Sequence, residues 1–193
     1  MPNVESFSDT FDVFNQDLWF IADFPIDEDW IQTAWVAQNV SDSLGNVTLA
    51  FSDDDAYGED YSGAEIRRNQ ESYYGRYEVT MRPADVEGVI SSFFVYTGGP
   101  FGDPTSEIDF EFRGDDTSRV LLTYHTPDGS DAEWVELGFD AAASDHTYAF
   151  EWGPDSISWY ADDVLLRAVT QSDIGITAEI GRVFPNTRPT QPH

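Results

Sequence analysis

"SEIDFEF", residues 106–112, alternates an acid with an apolar residue three times over. Successive side chains of a strand point to opposite faces, so Glu107, Asp109 and Glu111 share one face and Ile108, Phe110 and Phe112 the other. A period of two predicts a β-strand with one buried and one wet face. Chance has to be weighed, because Asp and Glu number 37 in 193 residues. Three acids at alternate positions should then arise about once, and the apolar alternation lowers that to roughly 0.1. From this stretch alone, two readings stay open: a solvated strand face, or a set of working carboxylates.

Outward from this strand, short alternating or apolar runs recur, each closed by a turn signal. "NVTLAF" (46–51) follows Leu44-Gly45, and "YGRYEVTMRP" (74–83) stops at Pro83. "GVISSFFVYTGGP" (88–100) ends in a Gly-Gly-Pro break, and "SRVLLTYHT" (118–126) runs into "PDG". There Pro presets φ and Gly accepts the left-handed position. "HTYAFEW" (146–152) and "SISWYAD" (156–162), parted by Gly153-Pro154-Asp155, read as a hairpin, and "DDVLLRAVT" (162–170) pairs with the second of them. Only "DIGITAEI" (173–180) offers a helical turn. The spacing predicts an all-β fold of two packed antiparallel sheets in a single domain over 1–193. The loop "YTGGPFGDPT" (96–105), just before the acidic strand, is placed to line one end of a cleft.

Composition narrows the function classes. Nine basic residues, all Arg, against 37 acids leave a net charge of −28. Such a surface repels nucleic acid and anionic lipid, so neither is expected as a partner. No apolar run is long enough to span a membrane. The absence of Cys excludes disulfide and thiolate chemistry. Asp (24) outnumbers Glu (13) and Lys is absent, a bias resembling proteins of salt-loving organisms.

The acidic strand suits one chemistry well. Glycoside hydrolysis needs two carboxyl groups flanking the scissile bond, and their separation sets the stereochemical outcome. Residues four apart on a strand have Cα atoms about 13 Å apart, and two Glu side chains leaning together leave a gap near the ~5 Å of retaining enzymes. Three carboxylates this close cannot all ionise freely, so at least one pKa is expected to rise, as a general acid requires.

"EIDFE" followed by Phe112 and Gly114 resembles the active-site strand of glycoside hydrolase family 16. "SFSDTFDVFNQDLW", "WVAQNVSDSLGNVTLAF", "YGRYEVTMRP", "GVISSFFVYTG", "LGFDA", "HTYAFEW" and "ISWYADDVLL" stand in the order shown by its bacterial lichenase and exopolysaccharide-depolymerase branch. The resemblance implies a concanavalin-like β-jelly-roll sandwich of two antiparallel sheets with a concave glycan cleft. It further implies a secreted, endo-acting, retaining hydrolase of mixed-linkage β-glucan or a related exopolysaccharide, acting as a monomer. A transglycosylase and a non-catalytic carbohydrate-binding module on the same fold are the rivals. By position, Glu107 matches the nucleophile, Glu111 the general acid/base and Asp109 the residue that tunes the nucleophile. Glu65 and Arg67, Phe94 and Tyr96, and Asn186 match sugar-contacting residues. His125 stands where a sugar-binding Tyr is expected and Thr123 where an Asn is. Thr105 replaces a stacking Trp, and Trp30 is an added aromatic expected over the cleft. The resemblance implies no cofactor for the chemistry. Its structural calcium uses backbone carbonyls, one of them matching Gly45, and an Asp on a final strand that has no counterpart after "PNTRPTQPH".

Overall fold

The structure is a computed structural model that describes residues 6–26, 32–127, 129–170 and 182–189. Its strands in chain order are β1 (Trp19–Ile21), β2 (Phe24–Pro25), β3 (Thr33–Trp35), β4 (Val40–Ser43), β5 (Asn46–Leu49), β6 (Tyr61–Arg68), β7 (Gly75–Met81) and β8 (Val89–Thr97). They continue as β9 (Ser106–Arg113), β10 (Arg119–Thr126), β11 (Gly129–Glu136), β12 (His146–Trp152), β13 (Ser156–Ala161), β14 (Val164–Thr170) and β15 (Arg182–Pro189). The larger sheet runs β11-β10-β9-β8-β15-β6-β3-β2, with β1 beside β6. The smaller runs β14-β13-β12-β7, and β4–β5 is a separate hairpin. The described residues contain two short 3₁₀ turns and no α-helix.

Period two explains how the sheets meet. On β9 the residues Ile108, Phe110 and Phe112 are buried, and they join Phe93 and Val95 of β8 and Val120, Leu122 and Tyr124 of β10. The smaller sheet returns Tyr148, Phe150, Trp152, Ile157 and Trp159 to the same core. Phe112 lies 4.7 Å from Tyr148 and Phe93 lies 5.4 Å from Phe150, ring centre to ring centre, so large aromatics fill the space between the layers. Burying the apolar face of β9 turns its acidic face outward, away from the second sheet. One cation enters this core. Arg167 of β14 donates to the carbonyl of Leu122 at 2.8 Å and pairs with Asp131 and with Glu133, the latter at 3.0 Å. A charge so buried persists because it is paired and hydrogen-bonded.

Several expectations need adjusting. Pairing is antiparallel throughout the described strands except between β3 and β6, which run parallel. The run 46–51 stops pairing at Leu49. Ala50 N–H instead donates to the Asn39 carbonyl, and Phe51 stacks 5.6 Å from Tyr61. The "PDG" turn does close a hairpin, whose second arm, β11, carries no clear strand pattern in the sequence. Six of its eight residues are charged, small or polar, so its apolar pattern is weak. Trp30 and residues 173–180 lie outside the described residues.

Candidate active site

The site is built across four adjacent strands by register alone. Tyr96 of β8, Glu107 of β9, His125 of β10 and Ser130 of β11 form one row. Phe94, Asp109, Thr123 and Ala132 form the next, and Ser92, Glu111, Leu121 and Trp134 the third. Directly opposed residues of an antiparallel pair point to the same side, so all twelve share the outward face. Glu107 and Glu111 are half-buried, and Asp109 between them is buried at 3% exposure.

His125 lies beside these acids. Its ring nitrogen and a carboxylate oxygen from each of Glu107 and Asp109 all lie within 4.8 Å of one another. Among the described residues this is the single cluster of His and acids able to hold a metal ion. From below, the Trp159 indole donates a 3.1 Å hydrogen bond to the carbonyl of Asp109. The second sheet is thereby tied to the middle of the acidic strand.

The remaining candidates fall on the same face in part. Glu65 of β6 is buried, and in the backbone ladder it pairs with Asn186 of β15, which pairs in turn with Ser92. Arg67 stands over the ring of Phe20 at 4.5 Å and near that of Phe101 at 5.3 Å. Phe94 is buried at the Asp109 row, and Tyr96 is half-buried at the Glu107 row. Tyr96 packs edge-on to Phe101, 6.2 Å between centres. It also occupies the space where a β-carbon on Gly98 would stand, so that glycine is needed for the phenol to lie there. The loop 96–105 therefore does reach the face, through Phe101 in its 3₁₀ turn. Thr105 is exposed.

Gly45 is remote from these rows. It sits in the β4–β5 turn at φ +77°, after Leu44 at φ +52°. A β-carbon placed on it would stand 3.4 Å from Asp12 Oδ1 and 3.6 Å from the Thr10 carbonyl oxygen. Both of these neighbours are oxygen atoms, of the kind a hard cation prefers.

Residues 27–191 match the model of glycosyl hydrolases family 16. The chain belongs to that family. This family 16 hydrolase is 42% identical over 183 residues to a beta-glucanase of Bacillus amyloliquefaciens, a match covering 94% of its own chain and 74% of the relative. Its fold superposes on the Bacillus licheniformis beta-glucanase with a TM-score of 0.88 at 39% identity, covering 97% of this chain and 86% of the other. A beta-1,3-1,4-glucanase (lichenase) from a mouse hindgut metagenome gives a TM-score of 0.87 at 35% identity, covering 94% and 84%. The jelly-roll sandwich is thus the fold of this glycoside hydrolase, and its acidic strand lies on the outward face of the larger sheet.

Sequence reading missed three aromatic residues. Phe101 lies in the loop before the acidic strand, Trp134 on the strand after "PDG", and Trp159 among core residues. For the first two the turn signals were available, whereas the hydrogen bond of Trp159 has no sequence signal.

Proposed function

We propose that this family 16 chain is an endo-acting β-glucan hydrolase, with mixed-linkage β-glucan as substrate and retention of configuration. The observation that carries this reading is the placement of Glu107, Asp109 and Glu111 on one outward face, in a chain similar to beta-glucanases along most of its length. In the proposed step, the Glu107 carboxylate attacks the anomeric carbon while the C–O bond to the leaving sugar breaks. Glu111 donates its proton to the departing oxygen. Glu111, now ionised, then takes a proton from water, which attacks the same carbon and releases Glu107. Two inversions give net retention. Asp109, buried between them, keeps Glu107 oriented, and His125 lies where it can meet a sugar hydroxyl or Asp109 itself. Glu65, Arg67, Phe94, Tyr96 and Asn186 are proposed to bind the glycan, with Phe101 added to the set.

The chemistry runs on carboxylates and calls on no cofactor. For a structural calcium, the Gly45 carbonyl would be joined by the Thr10 carbonyl and the Asp12 carboxylate, and the ion would brace loop 10–12 against the β4–β5 turn. Among the described residues no helix is long and apolar enough to cross a membrane. A polymeric glucan does not enter cells, which favours action outside them.

The test is product analysis on a panel of β-glucans, with proton NMR of fresh products and with the Glu107→Gln variant. Mixed-linkage glucan should be cut internally, with the β-anomer appearing first. Glu107→Gln should retain less than about a hundredth of the rate, since a lost nucleophile costs several kcal/mol of barrier. An initial α-anomer, or a variant above a tenth of wild-type rate, would sink the assignment.

A further inference from the structure

We infer that Trp134 is a sugar-stacking subsite for the leaving-group arm of the glucan, at the open edge of the larger sheet. The inference rests on the proposed hydrolysis and extends it to a residue outside the matched sugar-binding positions.

The direction of the glycan follows from the two acids. In a retaining enzyme the nucleophile and the acid/base flank the scissile bond from opposite sides. Glu107 and Glu111 are separated along β9, so the glycan must pass between them across the strand, not along it. One arm then crosses β8, β15 and β6, and the other crosses β10 and β11. The first arm meets Tyr96, Phe101, Arg67 and Glu65. That dense set of polar and aromatic groups suits the sugar that is distorted and held covalently. The second arm has two strands to cross before solvent, and it suits the part that must leave.

Trp134 stands on this second arm, in the Glu111–Leu121–Trp134 row. Strand spacing places it about 10 Å from β9, roughly two sugar residues beyond the acids. It is the largest side chain on β11 and, among the described residues, one of nine exposed large apolar groups, at 37% exposure. Two guanidinium groups lie over its ring and cover part of it, and the exposed remainder is the part open to a sugar. Arg119 lies 4.6 Å and Arg113 5.5 Å from the ring centre. Indole carries apolar area for the C–H face of a sugar, and guanidinium groups carry donors for its hydroxyls.

Two further observations separate a subsite from an incidental surface Trp. The strand is tied to the core: Arg167 pairs with Asp131 and Glu133, and Val135 packs against the core. A platform fixed before binding loses less entropy when a ligand arrives. The local charge also departs from that of the molecule. In a chain of net charge −28, two of nine Arg meet at this indole, and one of them is neutralised by Asp116 at 2.9 Å. A nearly balanced patch suits a neutral glucosyl residue better than a charged one.

The test compares two substrates. One is polymeric mixed-linkage β-glucan; the other is a short aryl β-oligoglucoside whose single-ring leaving group ends before Trp134. For Trp134→Ala, kcat/KM on the polymer should fall about tenfold further than on the aryl substrate, mostly through KM; tenfold corresponds to about 1.4 kcal/mol. Trp134→Phe, which keeps an aromatic face and guards against a folding artefact, should recover most of the difference. Equal losses on both substrates, or no loss on the polymer, would overturn the subsite. Calorimetry of Glu107→Gln with a mixed-linkage hexasaccharide, with and without Trp134→Ala, separates the two claims. A wild type that is inert on glucan, with binding still dependent on Trp134, refutes hydrolysis and the leaving-group assignment but upholds Trp134 as a sugar-binding residue. Binding unaffected by Trp134→Ala refutes the subsite and leaves hydrolysis standing.

Discussion

The indole nitrogen of Trp159, in the core of the smaller sheet, donates a 3.1 Å hydrogen bond to the carbonyl oxygen of Asp109, the middle acid of the outward face. Core packing and acid placement are thus one structure. Trp159→Phe keeps an aromatic ring but removes the donor and some volume. A loss of about 1–3 kcal/mol is expected, read as a melting temperature lower by several degrees. Turnover at a temperature where both proteins are folded should fall as well, because Asp109 and its neighbours lose a fixed support. A variant with unchanged melting temperature and rate would show that the bond is incidental.

His125 faces Glu107 across the β9–β10 ladder, and its ring nitrogen lies within 4.8 Å of carboxylate oxygens of Glu107 and Asp109. Imidazole with two carboxylates suits a borderline ion such as zinc. Added zinc is expected to inhibit hydrolysis by occupying the acids. His125→Ala should weaken that inhibition about tenfold, read as the shift in inhibition constant at fixed pH. The same constant in both proteins would remove His125 from the cluster's working set.

Acid sensitivity should concentrate at the β13–β14 turn. The Thr147 backbone N–H, and then the His146 side chain, hold the Asp162 carboxyl below its ordinary range. His146 Nδ1 lies 2.6 Å from Asp162 Oδ2. A carboxyl depressed in the folded state adds stability above its unfolded value and loses it as pH falls through the folded one. Asp162→Asn suits the left-handed backbone there, at φ +46°. It should melt about 1–2 °C below wild type near neutrality, a small effect because the group is half exposed. The two curves should converge in strong acid. Parallel curves at every pH would contradict the assignment.

If the β4–β5 turn holds calcium, the ion should raise the melting temperature through Asp12. Asp12 Oδ1 and the Thr10 carbonyl oxygen stand close to Gly45, and Asp12 Oδ2 accepts the Thr10 hydroxyl at 2.9 Å. Millimolar calcium should stabilise wild type, and Asp12→Asn should abolish the gain. If chelator and calcium give the same melting curve, the turn does not hold the ion.

Salt should stabilise the protein independently of calcium. At net charge −28, self-repulsion opposes the compact state. Raising salt from 0.01 M to 0.1 M shortens the screening length from about 30 Å to about 10 Å. In the presence of chelator, the melting temperature should rise over that range and flatten by a few tenths molar. A level or falling curve would show that the acids are tolerated without screening.

The acidic strand was legible in the sequence because its period of two is a local property. Ile108, Phe110 and Phe112 had to turn inward, and Glu107, Asp109 and Glu111 were thereby turned out together. The hairpin at Gly153-Pro154-Asp155 was legible for the same reason, since turn chemistry acts within a few residues. Likeness of ordered motifs reached further and named the family, but through resemblance, not through physics. What lies across strands was not legible. The rows that set His125 beside Glu107 and Trp134 beside Leu121 depend on register between segments, fixed when a whole face is buried. The parallel pairing of β3 with β6, the hold of Arg167 on β11 and the bond from Trp159 to Asp109 join residues far apart in the chain. Local composition carries no trace of such contacts. They exist because two sheets must bury their apolar faces against each other, and only the packed sandwich decides which residues then meet.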